Sequence, residues 1–158
     1  MRQVACGLLT VAVLLCLACG DDNGGGSSGG GGSTVAPTAT GLPGTWKATR
    51  AEFVNATNSS QRMEIVSMGT SLTLTFDSSG GYTQKIVDPG QAGQTTTGTW
   101  TATKDVLTLQ ASGMTWNVQF DMTLSGSTLT LNGGHMAFDV NLDGKDEETL
   151  AYFTMARQ

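Results

Sequence analysis

From Trp116 to Leu124 the chain reads Trp-Asn-Val-Gln-Phe-Asp-Met-Thr-Leu, alternating apolar and polar without a fault. A period of two suits a strand with one face buried and the other wet. The same alternation runs through Leu72-Thr73-Leu74-Thr75-Phe76, Val106-Leu107-Thr108-Leu109 and Leu129-Thr130-Leu131. Threonine fills most of the outward positions, where a stiff, β-branched, polar side chain suits a solvated sheet face. Turn signals punctuate these runs: Ser78-Ser79-Gly80-Gly81, Asp88-Pro89-Gly90, Thr103-Lys104-Asp105, Ser125-Gly126-Ser127, Asn132-Gly133-Gly134 and Asp143-Gly144. The pattern predicts strands near residues 45–54, 62–67, 71–76, 82–87, 95–102, 106–110, 115–124, 128–132, 135–140 and 149–156. The stretch from Gln61 to Ser67 also fits a short helix.

Short links between neighbouring strands imply an antiparallel meander. A meander this long leaves costly edges unless it closes, so an all-β barrel of about 8–10 strands is expected. Its inward set is expected to include Leu72, Leu74, Phe76, Leu107, Leu109, Trp116, Val118, Phe120, Met122, Leu129 and Leu131. That is enough bulk to fill the interior, although a barrel of this size also has room for one small ligand.

The N-terminal quarter follows a different pattern. Met1-Arg2-Gln3 carries one positive charge, Val4 to Leu17 is almost wholly apolar, and Leu17-Ala18-Cys19 follows. A charged start, a short apolar core and a small residue before a break describe a signal peptide over 1–18. The apolar stretch falls short of the ~20 residues that a spanning helix needs. Gly20 to Gly41 is rich in Gly and Ser and has no large apolar residue except Val35. Residues 19–41 therefore read as a flexible tether with a mean reach of about 25 Å, and 42–158 as one barrel domain.

All three cysteines, Cys6, Cys16 and Cys19, precede the barrel, so no disulfide staples it. The segment ending at Cys19 resembles the lipobox of bacterial lipoproteins, although Cys16 stands where that motif usually has Leu. The resemblance implies a lipid on Cys19 and membrane attachment through it. Gly20, rather than Asp, follows the cysteine, which by that family's sorting rule favours the outer membrane of the cell envelope.

Composition removes several function classes. Thirteen acidic residues against eight basic give a net charge of −5 with no basic patch, which argues against nucleic-acid binding. His135 is the single histidine, and from Leu42 onward no G-x-S-x-G, H-E-x-x-H or P-loop occurs, so catalysis is not expected. The acidic run from Asp139 to Glu148 matches the first half of a calcium loop, D-x-N-x-D-G, in Asp139, Asn141, Asp143 and Gly144. Position twelve is Leu150 instead of Glu, so Asp146, Glu147 or Glu148 would have to complete the oxygen set. A plain solvated hairpin turn on Asp143-Gly144 explains the same residues without an ion.

Gly44-Thr45-Trp46, at the head of the first strand, resembles the G-x-W motif of lipocalins. The resemblance implies that Trp46 closes one end of an up-and-down barrel and packs under a late arginine, for which Arg157 is placed. Thr97-Gly98-Thr99-Trp100 followed by Val106-Leu107-Thr108-Leu109 is similar to small lipocalin-like lipoproteins of bacterial envelopes. The likeness runs from Leu42 to Gln158, without the family's C-terminal helix, disulfide or middle motif. It implies a small hydrophobic ligand held in the barrel. A solid-core lipoprotein that binds another envelope protein through its loops is the alternative. A cavity would favour the first, and an exposed apolar patch the second.

Overall fold

The computed structural model describes residues 40–158. The signal peptide, Cys19 and nearly all of the tether lie outside the described residues. Nine strands form one antiparallel sheet: β1 (Gly44–Asn55), β2 (Arg62–Glu64), β3 (Ser71–Phe76), β4 (Gly81–Val87), β5 (Gln94–Ala102), β6 (Val106–Ala111), β7 (Val118–Ser125), β8 (Thr128–Phe138) and β9 (Glu147–Arg157). From β3 onward each strand pairs with the next, and β9 returns to pair with β1 along nearly its whole length, from Trp46↔Arg157 to Asn55↔Thr149. The result is a closed eight-strand barrel, with β2 as an extra strand beside the far half of β1. No helix occurs among the described residues.

Burial follows the alternation residue by residue. Leu72, Leu74 and Phe76 of β3 point in, as do Leu107 and Leu109 of β6, Phe120 and Met122 of β7, and Leu129 and Leu131 of β8. Each large side chain so buried contributes about 1.5–3 kcal/mol. Among the described residues the core runs from Leu42 to Met155.

Two bulges shift the inward phase. In β1 the register slips between Ala48 and Arg50. Trp46 and Ala48 face in before the slip, and Ala51 and Phe53 after it. In β8 the slip falls between Asn132 and Gly134, with Gly133 at φ 76°. That left-handed backbone suits glycine and accommodates the extra residue of a bulge. The expected turn at Asn132-Gly133-Gly134 is therefore a kink inside one long strand, and the runs at 128–132 and 135–140 are both part of β8, which ends at Phe138. Residues 62–67 are neither a full strand nor a helix: three residues pair with β1, and a turn follows.

The core is aromatic at both ends. Near the start of β1, Phe76 meets Trp100 edge-on at 5.6 Å. Each buried indole N–H finds an oxygen there, Trp46 donating to the Leu42 carbonyl at 2.8 Å and Trp100 to that of Asp77 at 3.1 Å. Toward the other end, Phe138 stacks on Phe53 at 4.1 Å, Phe53 meets Phe153 edge-on, and Phe153 packs against Phe120. Met63 and Ile65 cover that end from the β2 segment. Glu64, between them, accepts hydrogen bonds from the amides of Ala51, Val66 and Ser67. Partial burial pushes its carboxyl up, but these donors outweigh it and hold the group below its ordinary value.

Candidate functional site

The two ends of the barrel differ. At the end where β1 begins, Arg157 lies over the Trp46 ring with its guanidinium carbon 4.6 Å from the centroid. Its Nη1 donates to the Pro43 carbonyl at 3.2 Å and its Nη2 to that of Gly41. A β-carbon on Gly44 would stand 2.9 Å from Nη1, so glycine here leaves space for the guanidinium. This end is a plug, with Trp46 and Leu42 fully buried beneath it.

The opposite end carries the acidic loop that joins β8 to β9. Asp139 follows the last residue of β8 instead of lying on a strand face. Its two carboxylate oxygens accept the amides of Asp143 and Gly144, at 3.1 and 2.8 Å. Asn141 Oδ1 also accepts the Asp143 amide, and Asp143 accepts that of Lys145. Glu147 accepts from the Val140 amide and from the Asn141 side chain. Buried Val140 anchors the loop to the core.

Asp139, Asp143 and Glu147 each bring one carboxylate oxygen within 4.8 Å of the others. Calcium takes six to eight oxygens at 2.3–2.6 Å, so these three would supply part of a shell, and carbonyls or water the rest. Asn141 spends its amide on Glu147, and Asp146 is not part of the cluster. Glu147 is the member that the half-motif did not single out, although it occupies the loop's ninth place, where calcium loops often bind through water.

Beside this loop the barrel wall is split. β7 and β8 pair from Ser125↔Thr128 only as far as Asp121↔Asn132, where the Gly133 bulge begins. Beyond it, Gly134–Phe138 pair with β9 alone, while Val118–Phe120 pair with β6 alone. Among the described residues no backbone hydrogen bond bridges the two. The Phe120 ring lies under Gly134, so close that a β-carbon there would come within 2.2 Å of it. This ring is 1 % exposed and keeps the split from reaching the core.

Two adjoining concavities follow the split and share His135. One, of about 430 Å³, lies between Trp116, Met136, Ala137 and the acidic residues Asp146–Glu148. The other, of about 270 Å³, lies between Gln119, Asp121, Asn132 and Gly133. Both open to solvent. His135 Nδ1 stands 3.1 Å from Glu148 Oε1, and both side chains are about two-thirds exposed.

Trp116 was expected to point inward and does not: it is 53 % exposed. The alternation continues through it, but pairing with β6 stops at Leu109↔Val118, so Trp116 stands in the loop before β7 with no ladder to direct it inward. Val118 is only partly buried.

The family described as a lipocalin-like domain matches residues 42–131, more than half of the chain. The chain belongs to the lipocalin-like domain family. The matched segment runs from the plug residue Leu42 to Leu131, just before the β8 bulge. The outer half of β8, the acidic loop and β9 complete the lipocalin-like barrel beyond it. Among solved structures, a redesigned β-barrel is similar, with 19 % identity over 77 % of this chain and 95 % of that one, at a TM-score of 0.44. No curated protein matches.

Proposed function

We propose that this lipocalin-like protein is a lipid-anchored, non-enzymatic lipoprotein of the bacterial envelope that binds its partner on the outside of a filled barrel. The carrying observation is the pairing of a packed interior with an exposed tryptophan beside an open, largely apolar concavity. The inward positions are held by Trp46, Trp100, Phe76, Phe120 and the leucines of β3, β6 and β8, all nearly inaccessible. Large aromatic side chains left in water beside a concavity are unusual on a free surface and common at binding surfaces. The Cys19 anchor and the Gly/Ser tether suit this role, since they would let one face search a nearby surface.

A second reading is supported by membership in the lipocalin-like family: a small hydrophobic ligand held by the barrel. Calcium on Asp139, Asp143 and Glu147 would serve either reading by stiffening the loop beside the split. Native mass spectrometry of the exported protein, before and after chelation, separates these readings. A bare polypeptide mass supports the exterior reading. An organic mass of small-molecule size, lost on denaturation, would replace it with the small-ligand reading. A calcium-sized increment that disappears on chelation and in Asp143→Ala assigns the ion. A photoreactive residue at position 116, with position 104 at the plugged end as control, then tests the surface in cells. Adducts from 116 and not from 104 are expected, and equal or absent labelling would sink the exterior reading.

A further inference from the structure

The split wall leaves an unused strand edge. Backbone groups alternate sides along an antiparallel strand, so pairing with β9 engages one set of Gly134–Phe138 and directs the other toward the side that β7 has vacated. The edge is five residues long, about 16 Å at strand rise. Trp116 and Met136 give it apolar contact area, and its flanks are acidic: Asp146, Glu147 and Glu148 along one concavity and Asp121 along the other. Glu147 is engaged in its own loop, and Glu148 meets only exposed His135. Asp121 and Asp146 have no ion-pair partner among the described residues.

We propose that this edge takes an extended, basic peptide segment of a partner protein as an added strand. This rests on reading the Trp116 face as the binding surface, and names what occupies it. Peptide backbone would complete the ladder along Gly134–Phe138, the mode by which extended segments add to open sheet edges. Alternate side chains of such a strand fall on opposite faces. One set packs against Trp116 and Met136, while lysines or arginines in the other meet Glu148, Asp146 and Asp121. A cation near the Trp116 ring gains further from the ring face.

Charge excludes the nearer alternatives. A second copy pairing edge to edge would set Glu148 and Asp146 against their own kind on a molecule of net charge −5. The protein's own tether, Gly20 to Gly41, holds Asp21 and Asp22 and no lysine or arginine.

The test is a titration of the ¹⁵N-labelled chain from residue 20 onward, which contains the whole closed barrel. The probe is a capped six-residue peptide of alternating lysine and valine, and the control has glutamate in place of lysine. The basic peptide is expected to shift the amides of residues 134–138 and the Trp116 indole N–H, and the acidic one to shift neither. Trp116→Ala, at an exposed position that leaves folding intact, should weaken binding roughly tenfold. Glu148→Gln and Asp146→Asn should each weaken it about two- to fivefold, less at high salt. Equal shifts with both peptides, shifts confined to other residues, or no shift at millimolar peptide would each overturn the proposal. Loss of the peptide effect with adducts still forming at position 116 removes this occupant and leaves the surface standing. Loss of both removes the surface as well.

Discussion

Replacing Gly134 with alanine places one methyl group where the structure has no room for it. The added carbon would lie 2.2, 2.4 and 2.7 Å from Cε1, Cζ and Cδ1 of Phe120. Carbon atoms pack at about 3.5–4.0 Å, so the ring must retreat by roughly 1 Å or more. It has little freedom to do so. Phe120 is almost fully buried, and the Phe153 ring stands 5.6 Å away, itself held by Phe53. Overpacking of this kind costs about 1–3 kcal/mol, and the rigid neighbours put Gly134→Ala near the upper end. For a domain of this size that corresponds to a melting temperature lowered by roughly 10 °C.

Stability alone does not identify the cause, so the argument requires a cycle. Phe120→Leu removes the ring atoms that meet the new methyl group, at the expense of some buried apolar area. If the contact is the cause, the double variant should be less damaged than the sum of the single ones by at least about 1 kcal/mol. Urea denaturation of all four proteins, followed by circular dichroism, measures this. A single-variant cost under about 0.5 kcal/mol, or additivity within that margin, would refute the account of how the ring closes the split.

Two further outcomes follow from polar contacts. Glu64 has its carboxyl held below the ordinary value of 4.5 by amide donors that outweigh its burial, so it stabilises the fold fully above that value, and the benefit fades as pH falls through the lowered folded value. Glu64→Gln should therefore destabilise the barrel at neutral pH and approach the parent protein in strong acid; a gap that widens on acidification would contradict this. Arg157→Met removes the cation over Trp46 and the bonds to the Gly41 and Pro43 carbonyls. Its exposed setting limits the loss to about 1 kcal/mol, read as a lower urea midpoint with an unchanged near-ultraviolet spectrum of the buried tryptophans.

The barrel was legible in the sequence because strands of period two report directly which side chains face inward. Leu72, Leu74 and Phe76 alternate without interruption and are buried without exception. The reading failed where partner strands, rather than the pattern, decide the outcome. Trp116 extends a faultless alternation, yet it lies beyond the last residue that β6 pairs with. Asn132-Gly133-Gly134 carries the residues of a tight turn and serves as a bulge, because the strand before it and the strand after it pair with the same β9. No local signal separates a glycine that reverses the chain from one that admits an extra residue. The split wall was invisible for the same reason: it is a missing pairing between segments that each look like ordinary strands. In the acidic loop, the half-motif named Asp139 and Asp143 and left the completing carboxylate open among Asp146, Glu147 and Glu148, and the fold of the turn selects Glu147.

The bulge connects these observations. An extra residue at Gly133 changes which side chains of β8 face inward, so that Gly134, Met136 and Phe138 replace the odd-numbered series of Leu129 and Leu131. Phe138 can then stack on Phe53, and the core continues past the point where β7 leaves the ladder. The same shift brings a glycine over the Phe120 ring, which seals the interior where the backbone pairing stops. Filling the core and opening the wall are thus two results of one insertion. An unpaired edge invites unwanted pairing, and charges beside it are the usual defence. Here those charges are of one sign, which repels further copies of this chain and leaves the edge accessible to a strand of opposite charge.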